Sequence, residues 1–333
     1  MNRRNFILGA TAATAFAGCN TTGGKKVANS NGWIDLQVNG RYGISFGSPK
    51  LTVEQVVNLT HKIVAEGTVG FLPTITTVAF PDTAMKNVRI IAEAKRKDPV
   101  CAEAILGLHF EGPFISKEPG YVGAHNPAKV LPCDVAMMDE FQKESGGMLK
   151  LVTIAAEAEG AEAFTEAMTS RGVTISIGHS AEWRPEVIDR LAKKGAKAFT
   201  HLGNGIPGIL PRHQNIVWTG LSRDDMTVMF IPDGFHLPDQ VLKVYLKAVP
   251  VERLIAVSDC SYPGGLPPGE YGPASDRSIL EPSGFLRCVN TGLLHGSSCC
   301  LADAVKVLKR VGASDAVCKA LAHDNPLKLI GLA

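Results

Sequence analysis

Four side chains that could bind a metal ion or move a proton stand at the ends of short apolar runs. Glu111 follows AILGLHF, His179 follows VTISIG, His201 closes KAFTH, and Asp259 closes LIAVSD. Two imidazoles and one carboxylate are a common ligand set for zinc, which keeps a further position open for water. Bound metal lowers the pKa of that water to about 7, and a nearby carboxylate can accept the released proton. We therefore predict Glu111, His179 and His201 as metal ligands. Asp259 is the predicted proton carrier of a metal-assisted hydrolase.

Each of these residues also has an ordinary structural explanation. His179 precedes Ser180 at a strand-to-helix junction, where a helix cap is common, and Asp259 could simply end its strand. His109 and Glu111 form the H-x-E pair of zinc nucleoside deaminases, but the P-C-x-x-C that completes that signature is missing. The recurrence of such groups at four strand ends favours the metal site.

The elements that must bring these residues together are eight predicted strands with helical segments between them. The strands are 33–38, 68–75, 104–110, 150–154, 173–178, 197–201, 227–231 and 254–259. Strands that alternate with amphipathic helices predict a parallel sheet, and a count of eight predicts an α/β fold of the (β/α)8 TIM-barrel type. Catalytic groups of such barrels stand at the carboxyl ends of the strands, which is where the four residues lie.

Composition narrows the class of protein. The chain has 333 residues, with 34 Lys+Arg against 32 Asp+Glu and no basic cluster, so we expect no nucleic-acid partner. The eight cysteines include no C-x-x-C pair, and no glycine-rich phosphate motif follows a strand. No linker interrupts residues 32–333, which we expect to form a single barrel domain.

The amino-terminal segment has the features of a targeting signal. Residues 1–18 combine a basic start with a short apolar run and are predicted to be a signal peptide. Arg3-Arg4 resembles a twin-arginine export signal, and the residues before Cys19 resemble a lipobox. A polar tether over 19–31 follows. We expect an exported protein, periplasmic or otherwise extracytoplasmic, with membrane contact only through a lipid on Cys19.

Short blocks along the chain together resemble N-acetylglucosamine-6-phosphate deacetylases, a family of the amidohydrolase superfamily. The blocks are WIDLQVNG (33–40), FLPT (71–74), GLHFEGPF (107–114), GAHNP (123–127), SIGHS (176–180), THLGN (200–204), DGFH (233–236) and VSD (257–259). The resemblance implies hydrolysis of the N-acetyl group of an amino sugar, giving glucosamine 6-phosphate and acetate from N-acetylglucosamine 6-phosphate. It implies that Asp259 is the general base and acid for attack by metal-bound water, and that His125 polarises the amide carbonyl.

The resemblance also implies a substrate-binding set and a metal count. The substrate-binding residues would be His125, Asn204, Arg212, Asp233 and His236. His295 falls near a substrate-contact segment and is a further candidate, with an ordinary surface-loop histidine as the alternative. Arg212 would reach the site of a neighbouring subunit, which implies a homodimer. Gln37 stands where many amidohydrolases have the first histidine of a second metal site, and an amide is a poor zinc ligand. We therefore expect one divalent ion per subunit, zinc in the first instance, with iron or cobalt as alternatives.

Three departures from the family pattern leave alternatives open. The family's small β-sandwich domain is expected to be absent, and His295 stands where a small polar residue is usual. An export signal is unexpected for an enzyme of a phosphorylated cytoplasmic sugar. One alternative is therefore an exported deacetylase or amidase for an unphosphorylated or cell-wall-derived N-acetyl sugar. Another is a non-catalytic, lipid-anchored sugar-binding protein, against which the presence of Asp259 argues.

Overall fold

The computed structural model describes residues 31–273 and 277–333. The expected signal peptide over 1–18, Cys19 and the tether up to residue 30 lie outside these ranges. Among the described residues, no helix combines the length and the apolar character needed to cross a membrane.

Thirteen strands are distributed over three sheets in the described residues. The strands are β1 (Trp33–Val38), β2 (Gly40–Arg41), β3 (Ile44–Ser45), β4 (Thr68–Thr76), β5 (Leu108–Glu111), β6 (Leu149–Ile154), β7 (Thr174–Ile177), β8 (Ala196–Phe199), β9 (Thr227–Phe230), β10 (Leu254–Ala256), β11 (Gly269–Tyr271), β12 (Ser278–Leu280) and β13 (Leu286–Cys288). β1 and β4 to β10 form one parallel sheet in chain order. Val38 pairs in parallel with Cys260 just after β10, so the sheet curls into a nearly closed barrel. The predicted (β/α)8 barrel is confirmed.

Helices cover the outside of this barrel between successive strands, and three more helices follow the last strand. They are α1 (Val53–Ala65), α2 (Asp82–Lys97), α3 (Pro99–Ala104), α4 (Val135–Glu144), α5 (Ala161–Ser170), α6 (Pro185–Lys193), α7 (Ile216–Ser222), α8 (Asp239–Ala248), α9 (Leu301–Arg310), α10 (Asp315–Lys319) and α11 (Asn325–Leu329). A side chain caps the start of five of these helices. Thr52 and Gln55 form a reciprocal capping box on α1, for example, which satisfies two backbone N–H groups at the start of the helix.

The apolar core has two parts because alternate residues of a barrel strand face opposite sides. The larger part lies between the strands and the helices. The smaller part is formed mainly by strand residues such as Ile34 and Leu36, and it includes Leu327 and Ile330 from the end of the chain. Asn325 donates hydrogen bonds to the carbonyls of Leu254 and Val251. The last helix therefore closes the amino end of the barrel.

Several strand boundaries differ from the sequence prediction for physical reasons. The strand predicted over 104–110 begins only at Leu108, because the Asp98 side chain caps α3 by accepting the Cys101 N–H, and Pro99 suits the first helical position. The small antiparallel sheet of β11 to β13 was not predicted, because strands of three residues carry too little alternation to be recognised. This sheet belongs to the segment between β10 and α9.

Candidate active site

Three buried side chains meet at the carboxyl end of the barrel. Glu111 is the last residue of β5, and His179 and His201 each follow a strand, β7 and β8, by two residues. The Nε2 atoms of His201 and His179 lie 2.8 Å and 3.2 Å from the same oxygen, Oε1 of Glu111. The potential ligand atoms lie within 4.8 Å of one another, and no second group of three His, Cys, Asp or Glu meets this condition in the described residues.

The backbone is in an unfavourable conformation at three of the site residues. The φ angles are +49° at His179, +30° at His201 and +49° at Asp259, and the one other non-glycine residue with positive φ in the described ranges is Tyr42. Such a conformation costs about 1–3 kcal/mol per residue and persists only where the surroundings impose it. It also ends β7, β8 and β10 earlier than the sequence predicts. The strain is therefore concentrated where the side chains must turn over the barrel mouth.

His179 is held by contacts from two loops. Its Nδ1 lies 2.8 Å from the carbonyl oxygen of Tyr121, and this contact orients the ring so that Nε2 faces Glu111. Gly123 and Gly205 lie against the ring, and a Cβ on either would approach its Cε1 atom to 2.8 Å or 2.7 Å. Both glycines also have positive φ, near +60°. Neither position can carry a side chain without displacing the imidazole.

Asp259 is held beside this cluster by two amide side chains. Gln37 Nε2 donates to Oδ1 of Asp259 at 2.9 Å and to Oε1 of Glu111 at 3.0 Å. Asn39 Nδ2 donates to the same Oδ1 at 2.7 Å. Gln37 therefore turns its amide nitrogen, and not its amide oxygen, towards the two carboxylates. Sequence reasoning missed Asn39, although it stands two residues after Gln37 on the same predicted strand end.

The ionisation of the two carboxyl groups differs. Burial disfavours the charged form of Glu111, but hydrogen bonds from His179 and His201 hold its pKa well below the usual range. Burial, followed by the negative charge of Glu111, raises the pKa of Asp259 to about 6. One carboxylate therefore suits a permanent anionic ligand, whereas the other suits a group that gains and loses a proton.

This donor set fits a divalent metal ion. Two imidazole nitrogens and one carboxylate oxygen converge from three strand ends, and the ligand imidazole of His179 has a carbonyl partner on its other nitrogen. The buried Glu111, His179 and His201 cluster could therefore hold a metal. Histidine and carboxylate ligands are compatible with zinc, iron or cobalt and do not distinguish among them.

The structure brings two further predicted residues to the cluster. His125 is buried, with Nε2 3.3 Å from Nε2 of His179 and 3.9 Å from Oε2 of Glu111. His236 follows β9, and its Nδ1 lies 2.7 Å from Oδ2 of Asp233, whose other oxygen accepts the backbone N–H groups of Phe235 and His236. His236 acts to lower the pKa of Asp259, against the larger effect of burial.

The remaining predicted residues lie farther out. Asn204 is half-buried on the loop after β8, and Arg212 is exposed on the same loop. His295 follows β13, with Nδ1 2.7 Å from the Ser278 hydroxyl. Sequence reasoning missed Tyr121, Gly123 and Gly205, which act through their backbone. The G-A-H and L-G-N-G spacings beside two site residues were the signal available for the glycines.

Comparison with known proteins places the chain in a family. No protein-family model matches it. It is 33% identical over 251 residues to N-acetylglucosamine-6-phosphate deacetylase of Danio rerio, an alignment that covers 72% of this chain but only 60% of that relative's length. The human enzyme of the same name is 30% identical over 314 residues, covering 90% of this chain and 74% of the human one. The crystal structure of N-acetylglucosamine-6-phosphate deacetylase from Pasteurella multocida superposes with a TM-score of 0.79 at 26% identity, covering 90% of this chain and 76% of that one. The chain belongs to the N-acetylglucosamine-6-phosphate deacetylase family.

Proposed function

We propose that this protein is a metal-dependent hydrolase that removes the N-acetyl group of an amino sugar. N-acetylglucosamine 6-phosphate is the first candidate substrate, and its products would be glucosamine 6-phosphate and acetate. The observation that carries the proposal is the convergence of Glu111, His179 and His201 beside a fourth buried group, Asp259, at the mouth of the barrel. Membership of the family supports the choice of reaction, since the relatives named above are deacetylases.

Glu111, His179 and His201 would hold one divalent ion, with zinc as the proposed metal. When bound, such an ion polarises a carbonyl group and lowers the pKa of water. Gln37 lies beside this cluster and donates its side-chain N–H to Glu111. Its amide oxygen is therefore turned away from the carboxylate and adds no ligand for a second ion. A single ion per subunit is therefore proposed.

Asp259 is the proposed general base and acid. Gln37 and Asn39 both donate to its Oδ1, so Oδ2 is the oxygen left to exchange a proton. Oδ2 would take a proton from the attacking water as the bond from the water oxygen to the acetyl carbon forms. It would return that proton to the sugar nitrogen as the C–N bond breaks, which leaves a neutral amine and acetic acid. The acetic acid then ionises to acetate, and its proton passes to the amine or to solvent.

His125 and His236 are proposed to orient the substrate. His125 lies beside His179 and could donate a hydrogen bond to the acetamide oxygen. The ring of His236 is oriented by Asp233, whose carboxylate lies at Nδ1, so its Nε2 is available to a sugar hydroxyl or phosphate. Asn204 and His295 are proposed to contact the same substrate at the rim.

We also propose that the active form is a homodimer in which Arg212 binds the phosphate of a substrate in the neighbouring subunit. The loop that carries Arg212 exposes apolar side chains to solvent: Ile209 is 92% exposed, and Trp218, at the start of α7, is 53% exposed. Exposed apolar surface of this kind is characteristic of association sites. Mixing inactive Arg212→Ala and Asp259→Asn proteins should restore partial activity, because a mixed dimer contains one complete site. No recovery in a proven mixed dimer would contradict the contribution of Arg212 across the interface.

Acetate release tests the reaction directly. The chelated and zinc-reloaded protein should release acetate from N-acetylglucosamine 6-phosphate only when reloaded, and Asp259→Asn protein should not release it. Free N-acetylglucosamine and N-acetylated cell-wall fragments, assayed in parallel, separate the phosphorylated substrate from the unphosphorylated alternatives. If a protein that contains stoichiometric metal releases no acetate from any of these sugars, it is not an amino-sugar deacetylase.

Export is a separate proposal that is supported by the amino-terminal residues alone. Arg3-Arg4 and the small-residue run before Cys19 favour a twin-arginine signal and a lipid anchor. Expressed in a bacterial host, the full chain should fractionate with membranes, and Cys19→Ala should not carry the lipid. Recovery of unprocessed protein in the cytosol with residue 1 intact would contradict export and would favour the phosphorylated substrate.

A further inference from the structure

Beneath the proposed metal ligands, five buried polar side chains from adjacent strands make continuous contacts. This hydroxyl chain consists of Thr74, His109, Thr153, Ser176 and Thr200. None of the five is more than 2% exposed. They belong to β4, β5, β6 and β7 and to the residue directly after β8. The reaction proposed above uses none of them, yet burying so many polar groups in a barrel interior is costly unless each is paired.

The contacts in the hydroxyl chain have one consistent direction. Thr200 donates to Ser176 at 2.7 Å, so the 2.7 Å contact between the hydroxyls of Thr153 and Thr200 must use the proton of Thr153. Thr153 can then only accept at its 2.8 Å contact with His109, which places the ring proton on Nε2. The Nδ1 atom of His109 lies 3.2 Å from the Thr74 hydroxyl, whose one proton also has the Leu72 carbonyl as an acceptor at 3.2 Å.

Two members of the hydroxyl chain lie next to a proposed ligand in sequence, and two pack against the backbone of the third. His109 stands two residues before Glu111 on β5 and therefore points to the same side of the strand. Thr200 directly precedes His201. A Cβ at Gly178, just before His179, would lie 2.7 Å from Cβ of Thr200 and 2.9 Å from Cγ2 of Thr153. The two threonines thus pack directly against the backbone that leads into the third ligand.

We propose that the hydroxyl chain sets the spacing of the three ligands, with His109 and Thr153 as positioning residues. The two ligand histidines have positive φ, so their backbone needs support from neighbouring groups to stay in place. Hydrogen bonds that cross from strand to strand below the site provide that support. The inference rests on the proposed metal site but not on the identity of the substrate.

Zinc affinity measured without substrate tests the inference. In the metal-free protein, Thr153→Val should weaken Zn²⁺ binding about ten-fold in competition with a chelator, the size expected for a residue outside the ligand set. Thr153→Ser keeps the hydroxyl and should bind Zn²⁺ as the wild type does. The matched control is Thr165→Val, which removes an equally buried hydroxyl that donates to Ala161 within α5. Its melting temperature can fall, but its zinc affinity should not change.

The outcomes separate this inference from the proposed function. Equal zinc affinity of Thr153→Val and Thr165→Val would overturn the positioning role while the metal site stands. Failure of the wild-type protein to bind zinc would overturn the proposed metal site and this inference with it. If Thr153→Val does not fold, Thr200→Val removes the next hydroxyl of the chain and is judged by the same comparison with Thr165→Val.

Discussion

The two ends of the barrel are built by the same strands but differ in backbone conformation and in chemistry. At the amino end, Leu327 and Ile330 pack on apolar strand residues, and Thr174 donates to the Leu329 carbonyl. At the carboxyl end, three strands run into residues with positive φ, and the groups that meet there are ionisable.

The molecule separates its strained site from the apolar packing that stabilises the barrel. An ionisable cluster and unfavourable backbone angles both reduce stability where they occur. Packing of the final helix against the opposite end supplies apolar burial without approaching the chemistry. Substitutions at one end should therefore change reaction or metal binding, and substitutions at the other should change the free energy of unfolding.

The largest effect is expected at the carboxyl end. Asp259→Asn keeps the shape of the side chain but removes the carboxylate proposed to move the proton, so kcat for deacetylation should fall by about 10³-fold or more. Zinc content, measured by mass spectrometry on the same sample, should be unchanged. Activity near the wild-type level would remove Asp259 from its role and would weaken the distinction between the two ends.

The counterpart at the amino end is Leu327→Ala. Loss of this buried side chain should lower the free energy of unfolding by about 2–5 kcal/mol in urea titrations, because it leaves a cavity under the barrel. Val244→Ala on the exposed face of α8 is the control, with an expected change below about 0.5 kcal/mol. The folded Leu327→Ala protein should bind zinc normally, and a weakened affinity would show that the ends are coupled.

Asp35, at the seam between β1 and β10, should make stability depend on pH. It accepts the N–H groups of Gln37 and Ser258, and burial raises its pKa from 3.8 to about 6. The folded state therefore holds a proton that the unfolded state releases, so this residue's contribution to stability should decline as pH rises from 4 to 6. Asp35→Asn should remove that dependence, which amounts to roughly 3 kcal/mol in the free energy of unfolding. Identical pH profiles of unfolding for both proteins would contradict the assignment.

A smaller effect is expected from Gly205→Ala. The added Cβ would press on the His179 ring, and the alanine backbone would have to adopt a φ of +61°. Zinc affinity should therefore fall about ten-fold. Gly208→Ala in the same loop meets no atom within 4 Å and serves as the control. Chelator competition on the two variants measures the difference. Equal affinities would mean that the ring can move without loss of the site.

The sequence carries enough information for the barrel and for part of the site. The strand pattern predicts β1 and β6 almost to the residue, because apolar residues predominate in both and each lies between clear breaks. It extends β7, β8 and β10 too far, because nothing in a single sequence shows that His179, His201 and Asp259 take positive φ.

The contacts that hold the site were less accessible to prediction. Glu111 and the two histidines are recognisable by residue type at strand ends. The Tyr121 carbonyl and Gly205 act through backbone packing between loops far apart in sequence, and Thr153 acts through a hydroxyl buried inside the barrel. Such roles depend on three-dimensional proximity, and apart from the L-G-N-G spacing at Gly205 they leave no mark on residue type or spacing.

The position of the last helix has a consequence for the order of folding. β1 contacts three elements near the end of the chain: α9, α11 and the π-helical turn over 320–324. Its last residue, Val38, pairs with Cys260 where the barrel closes. The first strand of the barrel therefore makes its full set of contacts only with residues some 220 to 300 positions later in the chain. When only the amino-terminal half of the chain has been synthesised, it contains Glu111 but cannot form a closed barrel around it. The protein should accordingly acquire its site late, in one cooperative step after synthesis of the whole chain.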